Sequence, residues 1–203
     1  MFDPRAYWEA RYVAGGDSGP GSSKNEGRFK SNLVGSLIDF LQVESIIDFG
    51  CGDGQLMSEA LSGHSGIHYT GIDFSPKALE LSESKIGRLQ GINSRFVNMD
   101  PSKGQPTPVA DLAICLDVLF HIKERADASR LMMRVLNSFT KAAVLTMWTD
   151  DVLNEEPRLA RHVFYHPISI PDGFMVKEMP IGQETYKRLV LIFRPGTPYV
   201  MEL

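Results

Sequence analysis

Apolar positions along the 203-residue chain fall into two alternating patterns. Five short, nearly continuous apolar runs read as buried strands: Ser45–Phe49 (SIIDF), His68–Asp73 (HYTGID), Ser94–Met99 (SRFVNM), Asp111–Leu116 (DLAICL) and Ala142–Trp148 (AAVLTMW). Between them the spacing turns helical. Phe29, Leu33, Leu37 and Leu41, with Val34 and Ile38 beside them, predict an amphipathic helix. Leu56, Met57, Ala60 and Leu61 predict a second, from Gly54 to Leu61. Ser75 and Pro76, a capping hydroxyl followed by proline at the first helical position, open a third whose inner face is Ala78, Leu79, Ile86 and Leu89. A fourth, from about Glu124 to Phe139, packs Leu131, Met132, Val135 and Leu136. Pro101, Pro106 and Pro108 rule out a long helix between Asp100 and Val109. A short helix is expected to run into Pro157, and RHVFYHPISIPDG reads as irregular. FMVKEM and YKRLVLIF close the chain as two strands joined by a turn, and the Gly- and Ser-rich stretch Ala14–Gly27 reads as a loop.

Strands apolar on both faces, alternating with helices, call for a parallel sheet covered on both sides. The expected fold is α/β: a Rossmann-like, doubly wound, mostly parallel seven-stranded sheet with helices on both faces and an antiparallel C-terminal hairpin. Ligands of such sheets bind at the carboxyl ends of the strands. Asp48, Gly50, Gly52, Gly54, Asp73, Asp100 and Asp117 all fall at or just after strand ends.

Composition narrows the choice of partners. The net charge is −4 and the pI about 5.7, which argues against a chain built to grip nucleic-acid phosphates. Cys51 and Cys115 form no CxxC pair and read as small buried hydrophobes of a reducing compartment. No apolar stretch approaches spanning length and MFDPRAYWEAR is not a signal peptide, so the expectation is a cytoplasmic protein with no membrane partner.

The segment DFGCGDG carries the chemistry. Gly50 and Gly52 follow the first strand, Gly54 opens a helix, and Asp73 ends the next strand. An acid at that place accepts hydrogen bonds from ribose hydroxyls in nucleotide-binding sheets. The dinucleotide fingerprint needs its third glycine one residue later than Gly54, and no Tyr-xxx-Lys pair follows, so an NAD-dependent oxidoreductase is the weaker reading.

DFGCGDG resembles the first motif of class I S-adenosylmethionine-dependent methyltransferases, YTGIDFSPKAL the second, FVNMD the third and DLAICLDVLFHI the fourth. The similarity runs in order from Ile46 to Trp148. It implies S-adenosyl-L-methionine as cofactor and S-adenosyl-L-homocysteine as product. Asp48 and the turn Gly50, Cys51, Gly52 and Gly54 would lie against the methionine part, Asp73 would hold the ribose and Phe74 would pack on adenine. Met99 and Asp100 would face the other adenine edge, and Leu116 and Asp117 would floor the methyl-transfer site. The opening YWEARY and the glycine-rich loop also look like a bacterial methyltransferase group reading W..RY..GG.SG.GS......FK. Trp8, Arg11 and residues 15–23 would then fold over the cofactor as a lid, the alternative being a disordered N-terminus. Lys30, in the matching FK pair, reads equally well as a solvated helix residue. The whole chain is then one domain: 1–44 lid loop and helix, 45–148 cofactor-binding core, 149–203 acceptor-side segment and closing hairpin.

For catalysis the sequence offers Asp117 with His121, and His162 with His166, each spaced i,i+4. His121 is the candidate general base for an acceptor hydroxyl, or else a histidine that fixes its loop. The second pair reads as acceptor wall together with Arg161 and Tyr165, and no metal is expected. LDVLFH stands where base-amine methyltransferases carry (N/D)PPY, so adenine or cytosine N-methylation is not expected. The expected acceptor is a small or sugar-like molecule methylated on oxygen. The rival is a non-catalytic S-adenosylmethionine-binding protein or a partner subunit.

Overall fold

The computed structural model describes residues 3–22, 24–103, 107–148, 164, 166, 168–181 and 184–197. The helix expected before Pro157, and Arg161, His162 and Tyr165, lie outside the described residues. Seven strands form one sheet: β1 (Ser45–Phe49), β2 (Ile67–Asp73), β3 (Ile92–Asn98), β4 (Ala110–Cys115), β5 (Phe139–Trp148), β6 (Met175–Ile181) and β7 (Glu184–Phe193). Their order is β3-β2-β1-β4-β5-β7-β6. The first five are parallel, and β7 runs antiparallel to both β5 and β6. The expected fold is therefore the observed one.

Alternation along the strands feeds two cores. Ile46, Tyr69, Leu112, Ile114, Val144, Leu189 and Leu191 face α2 (Lys24–Leu41) and α3 (Gln55–Ala60), joined by Ile86 of α4 (Pro76–Ile86). Ile47, Phe49, Ile72, Ala113, Leu145 and Ile192 face α5 (Arg125–Leu136) through Leu131, Met132, Val135 and Leu136. Ser75 caps α4 as expected, its hydroxyl accepting the Ala78 N–H at 2.9 Å.

Several local readings are refined. Phe139 belongs to β5, where it pairs with Ala110, rather than to the helix before it. The inner face of α2 is Gly27, Lys30, Ser31, Val34, Leu37, Ile38 and Leu41, while Phe29 is 44% exposed. The chain N-terminus is folded: Asp3 caps α1 (Pro4–Val13), accepting from the Arg5 N–H at 2.9 Å, with Pro4 at the first helical position. The stretch read as loop from Ala14 to Gly27 shortens, because α2 begins at Lys24 after a 3-10 turn at Pro20–Ser22.

Candidate functional site

Strand order reverses between β1 and β4, which opens a crevice at their carboxyl ends. A cavity of about 290 Å³ occupies it. The sheet supplies Gly50, Cys51, Gly52, Asp73, Phe74, Asp100, Leu116, Asp117 and His121, and the N-terminal segment supplies Arg5, Trp8, Tyr12 and Ser18.

The glycine turn answers to conformation and to crowding together. Gly50, Gly52 and Gly54 have φ of +78°, +55° and +72°, a region unfavourable for residues with a Cβ. A Cβ on Gly50 would strike Val118, one on Gly52 would lie 3.0 Å from the Tyr12 hydroxyl, and one on Gly54 would lie 2.5 Å from the Ser82 hydroxyl. Gly50 and Gly52 line the cavity; Gly54 is the cap of α3 and meets α4.

Beneath the turn sit two buried acids, Asp73 and Asp48, that form no ion pair among the described residues. Asp73 is 6% exposed; its carboxylate accepts the N–H of Gly52 at 3.0 Å and of Ser75 at 2.9 Å. Burial pushes its pKa up to about 6, against the pull of those N–H groups. Asp48 accepts the Tyr69 hydroxyl at 2.8 Å, and burial pushes its pKa up to about 7. Asp48 is not among the cavity-lining residues.

At the exit of β4 the electrostatics reverse. Asp117, at φ +57°, lies 2.5 Å from Lys30 Nζ and 3.1 Å from Lys187 Nζ. Burial alone would raise its pKa, but the two ammonium groups hold it below the usual carboxylate range. His121, four residues on, packs edge-to-face with Trp8 at 5.0 Å and Phe120 at 4.8 Å between ring centroids.

The N-terminal segment closes the outer side. The Ser18 hydroxyl donates to Asp53 Oδ1 at 2.6 Å, accepts the Asp53 N–H at 3.0 Å and lies 3.0 Å from the Tyr12 hydroxyl. Lys85 holds the other Asp53 oxygen at 2.9 Å. The Arg5 guanidinium lies 5.4 Å from the Phe74 ring centre and 3.7 Å from Asp100 Oδ2. Asp100 also accepts the Ser102 N–H at 2.9 Å. Arg11 does not line the cavity: it holds the loop through Asp17, at 2.6 Å, and stands 5.8 Å from the Trp8 ring centre. Met99 packs into the α5-side core and is likewise outside the lining.

Glu26 and Lys187 match no motif position, and Tyr12, Ser18 and Asp53 lie inside motifs that give them no role of their own. Asp53 had a signal, a charged residue inside the glycine turn. Lys187 had another: period two puts it on the face of β7 that carries Leu189 and Leu191. Among the described residues no group of His, Cys, Asp and Glu could hold a metal. His166 Nε2 lies 2.7 Å from the Ile122 carbonyl oxygen. No described helix is long and apolar enough to cross a membrane.

These features suit an adenosine cofactor. Among the described residues Asp73 is a buried carboxylate with no ion-pair partner and accepting capacity to spare, which ribose hydroxyls would use, and Gly50 and Gly52 put no side chain into the cavity they line. Residues 47–139 match the family described as a methyltransferase domain. No curated protein matches the chain by sequence. Among solved structures the N-methyltransferase NodS from Bradyrhizobium japonicum WM9, in complex with S-adenosyl-L-homocysteine, superposes with a TM-score of 0.72 at 12% identity, over 96% of this chain and 100% of that one. Magnesium protoporphyrin IX methyltransferase from Synechocystis PCC 6803, with bound S-adenosylmethionine, gives 0.60 at 16% identity over 96% and 98%. The small RNA methyltransferase HEN1 gives 0.59 at 16% identity, over 85% of this chain and 26% of that one. The superpositions show the fold, and the match to a methyltransferase domain spans the strands and turns that build the cavity from Ile47 to Phe139.

Proposed function

We propose that the protein is a single-domain enzyme that methylates oxygen in a small-molecule or sugar-like acceptor. His121 carries this reading. It lines the cavity at the exit of β4, where an acceptor hydroxyl would approach, and its imidazole nitrogen can take the hydroxyl proton. Asp117, the other candidate, is a poor base because two lysines hold it ionised.

Bound S-adenosylmethionine supplies a methyl group already activated by its sulfonium. The chain's share is alignment, water exclusion and proton removal. In this reading Asp73 accepts from the ribose hydroxyls, Phe74 packs on adenine beneath Arg5, and Asp100 accepts from the adenine amino group. The turn of Gly50, Cys51 and Gly52 lies along the methionine part, with Leu116 and Asp117 as floor and Trp8 as lid. Gly54, Asp48 and Met99 support these groups from behind, and Arg11 keeps the lid loop folded.

Proteins of this fold are named for acting on a porphyrin and on small RNA, so the fold does not choose the acceptor. A net charge of −4 weighs against RNA. The test is methyl transfer from S-adenosylmethionine across a panel of hydroxylated acceptors. His121→Ala is expected to lose about 10²–10⁴-fold in turnover with S-adenosylhomocysteine affinity nearly unchanged. Equal loss of both would make His121 structural. Cofactor binding with no turnover on any acceptor would favour a non-catalytic binder or partner subunit.

A further inference from the structure

Four charges, two buried lysines and two partly buried acids, close a ring beside the cavity. Lys30 Nζ reaches Glu26 Oε1 at 2.6 Å and Asp117 Oδ2 at 2.5 Å; Lys187 Nζ reaches the same Glu26 oxygen and, at 3.1 Å, Asp117 Oδ1. Each lysine touches both acids and each acid both lysines. The Lys30 side chain is 0% exposed, and its third partner is the Gly21 carbonyl oxygen at 3.0 Å. Gly21 lies so close to Asp117 that a Cβ there would collide with the carboxylate. The corners come from α2, from the β4 exit and from β7, and Ser22 and Asp117 line the cavity itself.

Such a ring contributes little to stability for its own sake, since desolvating four charges opposes their attraction. Its effect is one of balance. Any single corner removed strands a buried charge, and the arrangement that fits the remaining three differs from the closed one. We propose that Lys30, Lys187 and Glu26 are positioning residues of the cofactor cavity: with Asp117 they anchor the root of the N-terminal lid to the floor of the site, so that the lid is formed before cofactor arrives. The proposal rests on the cofactor reading of the cavity only for its consequence, slow release of the ligand. Lys187 also brings the C-terminal hairpin, which lies beyond the matched family segment, into the construction of the site.

Hydrogen–deuterium exchange on the full chain without ligand tests the anchor directly. Lys187→Met is expected to speed exchange in residues 14–22 by about tenfold or more, while strands β1 and β4 keep their protection. Lys187→Met combined with Glu26→Gln leaves Lys30 matched with Asp117, and exchange should return to within about threefold of the parent. Stopped-flow release of S-adenosylhomocysteine should follow the same order, about tenfold faster in the single variant and recovered in the double. Unchanged exchange in Lys187→Met, or a double variant no better than the single, overturns the proposal. If Lys187→Met does not fold, recovery of fold and protection in the double variant supports the charge-balance account, and failure to recover overturns it. A parent that binds no S-adenosylhomocysteine would strike the cofactor reading instead, leaving the ligand-free exchange to decide the anchor.

Discussion

Asp73 and Asp117 stand at the ends of strands that flank β1 on its two sides, and both carboxylates line one cavity. Their surroundings are opposite. Asp73 has backbone N–H partners and, among the described residues, no cation, and burial pushes its pKa up to about 6. Asp117 is only 11% exposed, yet Lys30 and Lys187 hold it below the usual carboxylate range. The chain pairs Asp117 with its own cations, whereas Asp73 is the acid that a ligand would complete in the proposed reading. An acid at a strand end is thus not one kind of signal. Its partners decide whether it serves a ligand or the fold.

The comparison can be broken from either side. Asp117→Asn leaves two buried lysines with one full acid, and should cost about 3–5 kcal/mol of stability by chemical denaturation. A loss within the scatter of a surface substitution would mean that the ring is solvated. Asp73→Ala should hardly disturb the β4 exit but should weaken S-adenosylhomocysteine binding by roughly 1.5–3 kcal/mol by calorimetry. Similar affinity in the two proteins would remove Asp73 from the ribose site.

Titration sharpens the contrast, because the two shifts have opposite sign. Hydroxyl donors favour ionised Asp73, so S-adenosylhomocysteine affinity should rise as pH rises through about 6, by about tenfold between pH 5 and 7. Without ligand, the raised pKa values of Asp73 and Asp48 mean that the folded state holds protons the unfolded state has released. Their contribution to stability is present below the usual carboxylate pKa and is lost as pH rises through about 6 and about 7. Asp117, with its lowered pKa, contributes stability that is lost as pH falls through the carboxylate range. The smallest effect belongs to the front of the lid. Ser18→Ala removes the clasp on Asp53 and should cost about 1 kcal/mol in cofactor affinity. A cost as large as that of Asp73→Ala would place the main grip on the cofactor in the lid.

Asp73 was legible in the sequence because everything that defines its place is local. An apolar run ends on the acid, Ser75 and Pro76 start a helix, and the glycine turn lies one strand earlier. The five parallel strands and the closing hairpin were legible for the same reason, since period and punctuation mark each one. The Asp117 ring was not. Lys30 lies 87 residues from Asp117, and Lys187 lies 161 from Glu26. A pattern of apolar positions treats Lys30 as solvent-facing, which put Phe29 on the inner face of α2 where Lys30 belongs. α1 repeats at Asp3 and Pro4 the cap-then-proline signal of Ser75 and Pro76, but it buries only Tyr12, so no apolar face marks it in the sequence. The lid's ordered state depends on hydroxyl and carboxylate partners, Ser18 with Asp53, that no local spacing encodes.

The most direct test of the contrast is a crystal structure of the protein with S-adenosylhomocysteine. The expected result has both ribose hydroxyls within about 3 Å of the Asp73 carboxylate, and Asp117 still bound by Lys30 and Lys187. A ribose held by Asp117, or a ring opened to admit the ligand, would contradict the account.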